Sequence, residues 1–119
     1  MRSLFAVLGG VAGVHAATYN GFPNALTCSL DDTTTATRTA AEVQRMVTGP
    51  AGTLIDPSAS NVASGKCTSL RIPYYNVSDG AFGLVAFAYD EASDTYYYCL
   101  GQGAITSDSG GYPSLCTES

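Results

Sequence analysis

Residues 80–116 constrain the fold of this chain most, because they combine its strongest strand signal, a turn and two of its four cysteines, Cys99 and Cys116. Within them, 84–89 read LVAFAY. Val85, Phe87 and Tyr89 fall on one face and Leu84, Ala86 and Ala88 on the other, as in a strand buried on both sides. Residues 90–95 (DEASDT) read as a turn, and 96–100 (YYYCL) carry aromatic side chains suited to a pleated surface. The two runs therefore predict an antiparallel hairpin. Such a hairpin is marginal alone, so the rest of the chain must pack against it and staple it.

The staples imply an oxidising compartment. One basic residue, Arg2, precedes an apolar run over 4–14 and a small-residue site at 14–16, which reads as a secretory signal peptide over 1–16. The run is too short to span a bilayer, which needs roughly 20 residues, so no membrane association is expected. The expected mature chain, 17–119, is one small domain, secreted and monomeric, of a size that commonly relies on disulfides. Cys28, Cys67, Cys99 and Cys116 allow three pairings, and spacing alone does not choose among them. No metal or cofactor is expected: there is no CxxC pair, and the single histidine, His15, leaves with the leader. Arg38, Arg45, Lys66 and Arg71 stand against ten acidic residues, a mature charge of about minus six that opposes tight binding to a phosphate backbone.

Along the mature chain, 17–27 read as an extended or looped arm. Asp31, Asp32 and Thr33 to Thr35 read as capping residues for a helix whose apolar stripe is Ala36, Ala40, Val43 and Val47, with Gly49 and Pro50 ending it. Residues 51–66 read as loop with a minor strand over 53–56. Residues 70–77 (LRIPYYNV) read as a strand whose Pro73 implies an edge or a bulge. Asn76-Val77-Ser78 is a glycosylation sequon, and its use would require Asn76 to face solvent near the strand end. Residues 101–113 begin as strand and end as a Gly-rich loop of the kind that carries function on a rigid scaffold. The order predicts an α+β domain, one N-terminal helix on an antiparallel sheet of three to five strands.

Serine-type covalent catalysis lacks a histidine base in the mature chain. Asp90, Glu91 and Asp94 sit together in a hairpin turn, where solvent argues against a general-acid role. Tyrosine is more informative. Tyr74, Tyr75, Tyr96 and Tyr98 come from neighbouring predicted strands, and with Lys66 and Arg71 they form the candidate binding surface, with core packing and cross-strand pairing as the structural alternative.

From Cys28 to Cys116 the order resembles the small guanyl-specific ribonucleases secreted by fungi. The resemblance rests on Cys28-Ser29-Leu30-Asp31-Asp32 before a helix, Ile72-Pro73-Tyr74-Tyr75 and Leu84-Val85-Ala86-Phe87. It continues through Cys99, Gly103-Ala104-Ile105-Thr106 and Ser109-Gly110-Gly111 to Cys116. It implies a ribonuclease-like domain over 17–119 and a bridge between Cys28 and Cys116, which leaves Cys67 with Cys99. The family's glutamate base falls at Arg71 and its strand arginine at Leu84. Its histidine acid falls among Thr106, Ser107 and Asp108, and its first histidine near Ser58, after Pro57. With the acid, base and phosphate-stabilising groups replaced, no catalytic residue is expected and the chain is not expected to be an enzyme. The resemblance is closest to the inactive ribonuclease-like effectors of plant-pathogenic fungi. It implies a virulence effector of the host apoplast or cytoplasm that binds a host protein or, weakly, RNA. An active ribonuclease-type hydrolase and a cell-surface structural protein are the alternatives.

Overall fold

The computed structural model describes residues 17–31, 33–62, 65–106 and 113–119. The predicted hairpin is its centre: β6 (Gly83–Asp90) pairs antiparallel with β7 (Thr95–Thr106), and Asp90 opposite Thr95 closes the turn. The Asp90 carboxylate accepts from the amide of Ala92 and the hydroxyl of Ser93, as a short polar turn residue does. Outward from β6 lie β5 (Tyr74–Asp79) and the edge strand β4 (Thr53–Asp56), both antiparallel. On the other side β7 is long enough to take two partners. β1 (Thr18–Asn20) runs parallel to its first residues, and β8 (Pro113–Leu115) pairs antiparallel with its far end. The main sheet is therefore mixed, correcting the purely antiparallel expectation.

A second sheet sits over one face. β2 (Ala25–Ser29) lies between β3 (Thr35–Thr39) and the C-terminal β9 (Thr117–Glu118). Leu26 and Cys28 point inward from β2 and are fully buried. The extended arm over 17–27 is paired, as β1 and the start of β2. One expectation is overturned: Asp31 with its threonines turns a hairpin instead of capping a helix. The Asp31 carboxylate accepts from the amides of Thr33 and Thr34, while Ala36 and Arg38 lie on β3. Asp32 lies outside the described residues.

The helix α1 (Ala40–Thr48), the one α-helix among the described residues, thus follows three strands and is not N-terminal. Its cap is Thr39. The Thr39 hydroxyl accepts from the Glu42 amide and the Glu42 carboxylate accepts from the Thr39 amide, a reciprocal box that satisfies two orphan donors. Val43 and Val47, four apart, bury one stripe against the sheet. Gly49 and Pro50 then end the helix.

The two faces of β6 are both buried, as its alternation predicts. On one, Val85 and Phe87 join Val77, Phe82, Tyr98, Val43, Val47, Leu26 and Cys28. Each such side chain stabilises the fold by roughly 1.5–3 kcal/mol. On the other, Ala86 and Ala88 join Ala59, Cys67, Tyr74, Cys99 and Leu100, beneath the irregular segment that contains the 3₁₀ turn Ala59–Asn61. A bulge opposite Ala86 and Phe87 makes Cys99 the extra residue of β7. Its carbonyl is turned to accept from the Lys66 amide at 2.9 Å.

Disulfides join Cys28 to Cys116 and Cys67 to Cys99, across 88 and 32 residues. The first ties the small sheet to the C-terminal segment, and the second ties the irregular segment to β7. No helix among the described residues is long and apolar enough to cross a membrane. The expected leader, 1–16, lies outside the described residues.

Candidate functional site

Strand register builds an aromatic row on the helix-bearing face. Tyr75 of β5 is paired with Phe87 of β6, and their rings stack at 5.3 Å and 11°. Two residues on, Tyr89 is paired with Tyr96 of β7, with centroids 4.4 Å apart, and Phe87 meets Tyr96 at 6.1 Å. Tyr96 is also paired with Tyr19 of β1, stacked at 5.7 Å, and Tyr19 continues edge-on to Phe22, which lies beside Tyr98. Aromatic pairs at these separations add to burial by about 0.5–1.5 kcal/mol each, which holds the rings as one surface.

The last turn of α1 stops short of covering that row. Val47, Thr48 and Gly49 form one wall, Gly52 the end, and Tyr75, Phe87, Tyr89 and Tyr96 the floor of a partly open cleft of about 180 Å³. Gly52 approaches the floor closely: a Cβ there would come within 3.2 Å of the Phe87 ring, so the ring would have to give by a few tenths of an ångström. Beyond it on the edge strand, Leu54, paired with Tyr75, is 54% exposed and Ile55 next to it in the chain 50%.

Two phenols of the cleft are shifted by their surroundings. The Tyr89 hydroxyl donates to Asp94 Oδ1 at 2.8 Å, and this bond to a carboxylate pushes its pKa up to about 12. Burial, and then the Asp94 charge, raise Tyr96 as well. Asp94 has φ 50°, a left-handed conformation that aspartate tolerates better than most residues, and its carbonyl accepts from the Thr18 amide. The turn thus fixes Tyr89 and anchors β1 together.

The six residues singled out from the sequence do not share one surface. Tyr75 and Tyr96 line the cleft. Tyr74 is on the opposite face, 6% exposed among alanines and cysteines, because neighbours on a strand point to opposite sides. Tyr98 is on the cleft face but only 1% exposed, with its hydroxyl unpartnered among the described residues. Both are packing residues, a correction to the surface expected from the sequence. Lys66 is ion-paired with Glu118 of β9 and lies over the Tyr98 ring at 5.3 Å, and Arg71 is exposed in the irregular segment. Asn76 is half-buried at the middle of β5, between β4 and β6, and not at a solvent-facing strand end. Pro73 precedes β5 and needs no ladder amide, while its carbonyl accepts from Tyr89. Of the Gly-rich loop, 107–112 lie outside the described residues.

Sequence reasoning missed Tyr89 as a site residue, although its signal was present: closing the hairpin at 90–95 sets Tyr89 opposite Tyr96. It also missed Thr48, Gly49 and Gly52, which reach the cleft only through helix packing. Comparison of the chain with family models, with curated proteins and with solved structures finds no match.

Proposed function

We propose that the chain is a secreted, non-enzymatic effector that docks a host protein through the aromatic cleft and the exposed Leu54–Ile55 pair, a ribonuclease-like scaffold without ribonuclease chemistry. The supporting observation is the cleft itself. Among the described residues its lining includes no histidine, carboxylate, lysine or arginine, the groups that general acid-base chemistry most often uses. Four rings beside an exposed aliphatic pair instead resemble the anchor-and-rim composition of protein interfaces. Two disulfides are compatible with export, which the leader over 1–16 would direct.

RNA is the weaker partner. Lys66 is engaged by Glu118, and a mature charge of about minus six repels a phosphate backbone. The test uses the oxidised protein and host extract. Capture of a host protein should be lost in Tyr75→Ala/Tyr96→Ala and should change little with salt, and RNA should survive incubation. Guanosine-specific cleavage, or equal capture by parent and folded double variant, would overturn the reading.

A further inference from the structure

We infer that the cleft is a receptor for a single arginine side chain of the docked protein. The inference rests on the protein-docking reading and specifies its chemistry. Size comes first: about 180 Å³ is below the range of roughly 300–1,000 Å³ that encloses a small-molecule ligand, and suits the end of one side chain.

Charge comes next, from three separate sources. The rings of Tyr75, Phe87, Tyr89 and Tyr96 provide π surface, which attracts cations. The wall formed by Val47, Thr48 and Gly49 is the C-terminal end of α1, the negative end of the helix dipole. Gly49 leaves that end in an extended conformation, φ −74° and ψ 175°, and not in the left-handed turn that would bring amides back to the last carbonyls. Finally, the Asp94 carboxylate is one hydrogen bond behind the Tyr89 hydroxyl. No cationic side chain of the described residues lines the cleft. Arg45 of the last helical turn is exposed, Arg38 is held by Asp79 at 2.9 Å, and Lys66 is paired with Glu118. The helix end and the Asp94 carboxylate both disfavour an anion there.

Arginine fits better than lysine. Its planar guanidinium is weakly hydrated and stacks on rings, and it brings five N–H donors to a lining that includes phenol and threonine oxygens. An ammonium would have to give up a stronger hydration shell for the same surroundings.

The experiment titrates the oxidised full chain by NMR with three capped tripeptides, Gly-Arg-Gly, Gly-Lys-Gly and Gly-citrulline-Gly, the last matching arginine in shape without its charge. The arginine peptide should give saturable shifts at Gly49, Gly52, Tyr89 and Tyr96, with millimolar affinity. Citrulline should bind roughly fivefold or more weakly, as expected on losing the cation–π and charge attraction. Asp94→Asn, which keeps the side-chain shape and an acceptor for the Tyr89 hydroxyl, should weaken arginine binding by a larger factor than citrulline binding. Equal affinity for arginine and citrulline, shifts that do not saturate, or lysine binding tighter than arginine would overturn the inference. The two readings fail separately. If Tyr75→Ala/Tyr96→Ala loses the host protein while arginine and citrulline bind alike, docking stands and the arginine site falls. If the arginine peptide binds selectively while that variant captures the host protein as well as the parent, the arginine site stands and docking falls.

Discussion

The two faces of the main sheet are covered by different means. One carries α1 and the small sheet, regular elements whose large side chains, Leu26, Val43, Phe82 and Phe87, interdigitate at a distance. The other carries an irregular segment, and there the sheet presents Ala86 and Ala88, small enough for backbone to approach. A Cβ at Gly65, which has φ 83°, would come within 2.8 Å of the Cys99 carbonyl, so that segment lies almost directly on β7. A helix is stiff and round, and where α1 ends it leaves the aromatic row partly uncovered. A loop can follow the sheet closely, as Gly65 does over Cys99. The cleft is on the helix-bearing face for that reason.

Breaking each face's disulfide gives the largest expected contrast. Replacing Cys28 and Cys116 by serine releases an 88-residue constraint, worth roughly 4–5 kcal/mol in the chain-entropy estimate, and replacing Cys67 and Cys99 releases a 32-residue one, worth roughly 3.5 kcal/mol. Urea unfolding should show the outer pair costing more. The reverse order would mean that the irregular segment depends on its staple beyond chain entropy.

Ala88→Leu sharpens the contrast next. Adding bulk under the closely laid segment should destabilise by about 1–3 kcal/mol, while the cleft rings on the other face keep their chemical shifts. Thr39→Ala, which removes the cap of α1, should cost about 1 kcal/mol and shift Thr48 and Gly49 at the cleft, leaving the alanine face undisturbed. Cleft shifts in the first variant equal to those in the second would show that the faces are coupled through β6.

The smallest expected effect is in the pH profile. Asp31, Asp56 and Asp79 are held below the usual carboxylate range, chiefly by backbone amides of Thr33, Ser58 and Ala81, and Glu42 by the amide of Thr39. Their folded values are depressed, so their contribution is complete above the ordinary range near pH 4 and is lost as pH falls through the folded values. Tyr89 has the opposite sign: raised from 10.0 to about 12, its contribution is present below pH 10 and lost as pH rises through 12. Tyr89→Phe should therefore flatten the alkaline limb of a thermal-melt series and leave the acid limb in place. An unchanged alkaline limb would assign that loss to the phenols that burial raises, Tyr98, Tyr96 and Tyr74.

The hairpin was legible because both its signals are local: alternation over 84–89 and a polar turn at 90–95. The helix start was misplaced because Asp31 and the threonines satisfy a hairpin turn as well as a helix cap, and only pairing of β2 with β3 decides between them. Thr39-Ala40-Ala41-Glu42 carries the capping signature and would have placed it correctly. Of the candidate site, Tyr75 and Tyr96 were legible as aromatic strand residues, but grouping them with Tyr74 and Tyr98 required knowing which face each strand presents and what covers it.

The sequence by itself determined that a doubly buried strand and its hairpin partner would form the centre, since side-chain alternation and turn chemistry act within a few residues. It determined too that α1 would end at Gly49. Tertiary structure alone decided that β1 runs parallel to β7, that β2 and β9 build a second sheet, and that α1 ends over the aromatic row. Those outcomes depend on contacts between residues far apart in the chain, where no local preference distinguishes a covered tyrosine such as Tyr98 from an accessible one such as Tyr96.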